Sequence, residues 1–184
     1  MKKLRWIVPV LVLAALTSTG CFITSAQILT HFDLPNPFTI NASNPADLFE
    51  QVPVDLNELS DYTDNKDKLE GLTDLAILGQ FTNLTAQAGT VSVYITPDLD
   101  APGATSVPSN AVLLWGPASI GASETKTISW DESAALFHKE GKDVVINETK
   151  GDGSFTLYTT GGPAGVYNIR VDEGVLVLTL DAGM

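Results

Sequence analysis

The sequence predicts an all-β protein, built as an antiparallel β-sandwich, from three observations. Apolar residues recur with a period of two along most of the chain, turn residues separate those runs at short intervals, and helical patterning is confined to two brief stretches. Seven or more short strands with few helices suit two stacked antiparallel sheets. Both an immunoglobulin-like and a jelly-roll-like sandwich fit, although the immunoglobulin pair of cysteines around a tryptophan is absent from a chain with 1 Cys. A closed barrel is the second architecture; irregular strands without aromatic girdles argue against a membrane barrel.

The elements follow in chain order. "AQILTHFDLPNPFTI" is predicted as a strand broken by Pro35 and Pro37, because proline cannot donate to a ladder. "QVPVDLN" sets Val52, Val54 and Leu56 on one face. "DNKDKLEGL" is predicted as a short helix: Asp64 caps it, Asp67 favours its positive end, Lys68 lies near its negative end and Gly71 closes it. Residues 72–85, "LTDLAILGQFTNLT", form a further strand. "TVSVYITPD" then places Val91, Val93 and Ile95 opposite Ser92, Tyr94 and Thr96. "TPDLDAPGATSVPSN" reads as an exposed, mobile loop, and "NAVLLWGPA" as another strand.

The second predicted helix is "SWDESAALFHKEGKD". Asp131 is its N-cap, Glu132 sits in its first turn, Ala134 to Phe137 pack, and Gly141 ends it. The Asp-Gly pair in "TKGDGSF" is a hairpin signal between two strands. "SFTLYTT" alternates Phe155 and Leu157 against Thr156 and Tyr158, and "VYNIRVD" alternates Tyr167, Ile169 and Val171 against Asn168 and Arg170. "TGGPAGVY" and "VDEGV" are glycine-bearing connections. "GVLVLTLD" is apolar on both faces, as a central strand should be, and "GVLVLTLDAGM" is also a candidate for edge-to-edge pairing with a partner.

The first residues, "MKKLRWIVPVLVLAALTSTGC", have a different character. Lys2, Lys3 and Arg5 precede an apolar run from Trp6 to Leu16, followed by small residues up to Cys21. That is the three-part layout of a bacterial export signal. The apolar run is shorter than the roughly 20 residues a membrane-crossing helix needs, and Pro9 weakens it further. Two cleavage readings remain: before Cys21, or after Ala26 with Cys21 discarded.

"STGC" resembles the lipobox of bacterial lipoproteins, with Ser18 where that family usually has leucine. The resemblance implies a diacylglycerol-modified Cys21, a signal over residues 1–20 and a single domain over residues 21–184. An unpaired thiol exported to an oxidising compartment otherwise has no use. In that family an aspartate after the cysteine retains the protein in the inner membrane, so Phe22 implies the outer membrane of a Gram-negative cell. Acyl chains would hold the protein on the bilayer without spanning it. "VDLNELSDYTDNKDKLEGL" and "TISWDESAALF" resemble uncharacterised sandwich lipoproteins, a resemblance that implies no activity.

Without residues 1–20 the chain carries 22 Asp+Glu against 7 Lys+Arg, a formal charge of −15, since three of its 10 basic residues lie in the signal. Nucleic acid and anionic headgroups both demand Lys/Arg contacts, so neither is an expected ligand. Catalysis finds little support: G-x-S-x-G is absent, and His31 and His138 are the 2 histidines, best read as surface or satisfied residues. Paired carboxylates for glycoside hydrolysis lack aromatic platforms, because Trp115 and Trp130 suit the core. No cofactor is expected, with calcium the one ionic alternative. Its ligands would be Asp98 and Asp100 in "PDLDAPG", and Asp61, Asp64 and Asp67 in "SDYTDNKD". Asn41, Asn83 and Asn147 head Asn-x-Ser/Thr triplets, which the bacterial-type signal deprives of glycosylation. The expected function is a non-catalytic, lipid-anchored envelope protein that serves as a structural or interaction module. Its expected partners are the membrane, through the lipid, and another envelope protein. A calcium- or carbohydrate-binding surface module and an envelope hydrolase are the alternatives.

Overall fold

A computed structural model describes residues 25–183. Cys21, the signal and the cleavage site before residue 21 lie outside the described residues. The strands are β1 (Ser25–Asp33), β2 (Phe38–Asn41), β3 (Phe49–Asp55), β4 (Leu69–Asn83), β5 (Gly89–Thr96), β6 (Val112–Ile120), β7 (Thr125–Ile128), β8 (Ser154–Gly162) and β9 (Asn168–Gly183). They form two antiparallel sheets. The first runs β1-β9-β4-β7, with β2 also on β9, and the second runs β3-β8-β5-β6. This is the expected all-β sandwich. Val52, Val54, Val91, Val93, Ile95, Phe155 and Leu157 face Leu75, Ile77, Phe81, Ile169, Leu176 and Leu178 across the core.

The helices differ from expectation in number and place: among the described residues there are three α-helices, α1 (Ser60–Thr63), α2 (Trp130–Ala135) and α3 (Lys139–Lys150). Asp64 is the C-cap of α1 instead of the N-cap of a later helix, a single turn at Lys66–Lys68 replaces the rest, and Gly71 lies inside β4. The N-cap of α2 is Ser129, whose hydroxyl accepts from the Glu132 amide; the expected N-cap, Asp131, lies inside the helix. Gly141 does not end that helix but sits buried in the first turn of α3.

Two turn readings are also corrected. The Asp152–Gly153 pair joins α3 to β8, not strand to strand; Asp152 accepts from the Ser154 amide and hydroxyl while Gly153 takes φ +86°. "VDEGV" is not a connection but a bulge inside β9. Gly79 alone on β4 faces Glu173 and Gly174 on β9, with Glu173 at φ 53°. One extra residue reverses the faces of a strand. Hence Ile169 and Val171 point inward before the bulge, and Leu176, Leu178 and Leu180 after it. The chain breaks between β1 and β2 at the same level, so the two act as one interrupted edge against β9.

α2 closes one side of the sandwich. The Ser133 hydroxyl accepts from the Ile77 amide of the first sheet at 2.8 Å and from the Trp115 indole of the second at 3.1 Å. Among the described residues, no helix is long and apolar enough to cross a membrane.

Candidate functional site

The aspartates singled out for calcium are engaged differently. The Asp100 carboxylate accepts from the Tyr158 hydroxyl at 2.7 Å and the Thr96 hydroxyl at 2.6 Å, while its amide donates to Thr156. Thr156 also donates to the Asp98 carbonyl, and Gln51 donates to the Ala101 carbonyl and accepts from the Ala104 amide. The loop after β5 is therefore a strap over the outer face of the second sheet, its own residues mostly exposed as expected. It buries Thr96, Thr156 and Tyr158, which alternation alone places on a solvated face. Desolvation, followed by the hydrogen bond to Asp100, raises the Tyr158 pKa.

Asp61 lies in α1, Asp64 follows it and Asp67 lies in the turn Lys66–Lys68. Among the described residues, no three His, Cys, Asp or Glu side chains converge to hold a metal ion. Asp100→Ala is expected to cost about 1.5–3 kcal/mol, the range for hydrogen bonds to a charged group. Hydrogen exchange should then quicken between residues 98 and 104, with or without millimolar calcium. A calcium-dependent melting temperature in the parent that vanishes in the variant would instead make this carboxylate a ligand.

The histidines and tryptophans resolve into structural roles, with one exception. The His138 Nε2 is 2.7 Å from the Gly116 carbonyl, which can only accept, so Nε2 carries the proton. Trp115 is fully buried, and the Trp130 indole donates to Asp74. The exception is His31 on β1, whose side chain takes part in no hydrogen bond or ion pair among the described residues and lines a surface cleft.

β1 is where the surface departs from ordinary sandwich construction. Bare strand edges invite unwanted pairing, and proteins blunt them. On β3, the bond from the Leu56 amide to the Gly153 carbonyl sets the ladder phase, so Pro53 faces outward, where it costs no ladder bond. On β6, Leu136–His138 pairs alongside: the Gly116 amide donates to the Leu136 carbonyl and the His138 amide to the Leu114 carbonyl. Pro117 follows, and Lys126 covers the Ser119 carbonyl. β7 is only 4 residues long and carries Lys126.

β1 has none of these devices over its 9 residues. The Leu34 amide donates to the Gly174 carbonyl, extending the register in which Asp33 faces Val175. In an antiparallel ladder bonded and non-bonded pairs alternate, so Gln27, Leu29, His31 and Asp33 turn both N–H and C=O away from β9. Among the described residues nothing hydrogen-bonds to them. Leu29 is 64 % exposed, while Ile28 and Phe32 pack on the core from the other face.

Beside this edge lies a cleft of about 400 Å³ between residues 30–33 and residues 58–61. Its charged side chains are Asp33, Glu58 and Asp61, with His31 the one basic group, and Ser60 stands among them. These are residue types a hydrolase uses, yet no hydrogen bond links His31 to Ser60 or to a carboxylate among the described residues, and a nucleophile needs such a base. A second cleft of about 530 Å³ lies between Phe49 and the strap; Glu50 is its one ionisable residue, its pKa raised by burial and then by Asp47. A single carboxylate supplies no acid–base pair. Sequence reasoning missed the β1 edge; β9 is enclosed by β1 and β4, as its reading as a central strand expects, and so does not offer the edge that was its second reading. Alternation in "AQILTHFD" was the available signal, and it cannot tell an edge from a centre.

No protein-family model matches the chain, and no curated protein matches it.

Proposed function

We propose that this chain is a non-catalytic, lipid-anchored protein of the bacterial envelope whose sandwich serves as a protein-interaction module. The observation that carries the reading is the β1 edge, to which no described residue hydrogen-bonds, in a molecule where β3, β6 and β7 have blunted edges. Its position adds support. β1 starts at Ser25, so a lipid on Cys21 would hold that edge within about 14 Å of the anchoring residue, at 3.3–3.6 Å per residue. Cleavage after Ala26 would strip the Ser25 and Ala26 rungs from the ladder with β9, which favours processing before Cys21. The acidic body repels anionic headgroups, leaving protein as the occupant of the edge.

Two measurements test this. Metabolic labelling with an alkyne fatty acid should mark the protein, and Cys21→Ser should abolish the label and release the protein from membranes. A photo-crosslinking residue at position 29 should give a discrete adduct in intact cells, while one at position 126 on β7 should not. An unlabelled parent, or identical patterns at the two positions, would overturn the proposal.

A further inference from the structure

The geometry points to strand addition at β1: an extended, cationic segment of a partner protein pairs with its outer edge as a further strand of the first sheet. This rests on the interaction-module reading above and names the chemistry of the partner. Gln27, Leu29, His31 and Asp33 present donors and acceptors that no described residue uses, at the two-residue repeat of a strand, which fits an extended backbone and nothing else of regular shape. Leu29 offers an apolar contact at the middle of that edge. The cleft alongside sets the charge. Asp33, Glu58 and Asp61 face whatever lies there, opposed by the His31 imidazole alone. Lysine or arginine on the incoming strand satisfies them and steers its approach. A second copy of this chain is a poor occupant, because its formal net charge of −12 brings like to like.

The test uses the full chain in neutral detergent and two synthetic probes. One is the peptide Lys-Val-Lys-Leu-Lys-Val-Lys-Thr-Lys; the other has glutamate at each lysine. The lysine peptide should bind at least about tenfold more tightly, with the preference shrinking as salt is raised. Binding should slow hydrogen exchange at the amides of residues 27, 29, 31 and 33. Leu29→Pro should abolish binding yet keep the melting temperature near that of the parent, because the amide it removes points away from β9. Should that variant fold poorly, Asp33→Lys combined with Glu58→Lys gives the independent reading: it should reverse the charge preference. Equal affinity for both peptides, protection at another edge, or no binding at millimolar peptide would overturn the inference. So would concentration-dependent dimers that protect the same amides without peptide, which would make the second copy the occupant. An adduct at position 29 in cells alongside peptide failure would sink the cationic strand and leave the interaction module standing; a missing lipid would sink the anchored reading and leave the strand pairing standing.

Discussion

Trp115→Ala is expected to remove about 3–5 kcal/mol of stability, the cost of emptying a large aromatic site in a packed core. At about 2–4 °C per kcal/mol for a domain of this size, the melting temperature should fall by roughly 6–20 °C. The ring is fully buried on β6 and stacks on Phe81 of the opposite sheet, with centroids 6.0 Å apart and planes 23° from parallel. Its Nε1 donates to both the carbonyl and the hydroxyl of Ser133, the residue through which α2 joins the two sheets. Trp115→Phe separates these contributions. It keeps most of the apolar contact and loses the donor, so it should cost about 1–3 kcal/mol. If thermal melts put the two variants level, the indole hydrogen bond carries the site and the stacking does not.

Gly141→Ala should destabilise the protein, which reverses what helix propensity predicts. In an exposed helix the change gains close to 1 kcal/mol. Here α3 crosses β6 so closely that an added methyl would meet the Leu113 carbonyl oxygen at 2.7 Å and overlap the Leu114 Cα. Overpacking against backbone, which has no rotamer to give, costs about 1–3 kcal/mol. Gly71→Ala is the control, since nothing lies within 4 Å of the Cβ it would gain. Chemical denaturation of the two variants should therefore separate by about 1 kcal/mol or more. A Gly141→Ala variant as stable as the parent would mean that α3 does not sit against β6 in this way.

Strand positions were readable because each depends on alternation along a short window. Val52, Val54, Val91, Val93 and Ile95 needed no knowledge of the rest of the chain. Thr96, Thr156 and Tyr158 are buried because a loop folds back over them, and period-two logic has no access to that. α3 was hidden for a related reason. "KEGKDVVINETK" combines glycine with a β-branched run that gives weak intrinsic helicity, so packing on β6 and β4 holds it in place. The acidic stretches drew attention as ion sites because aspartates were near in sequence; in space Asp100 is committed to two hydroxyls. The unblunted edge was out of reach in principle. Whether a strand is peripheral depends on sheet order, and β1 owes its place to β9, its partner from the far end of the described chain.

That late partner has a temporal consequence. β1, β2 and β4 all zip onto β9, so half of the molecule stays unassembled until the ribosome has delivered residues up to Gly183, whereas the strands of the other half are all made by Gly162. Pairings this distant along a chain form slowly. The first sheet is therefore expected to close only once β9 has been made, later than the second.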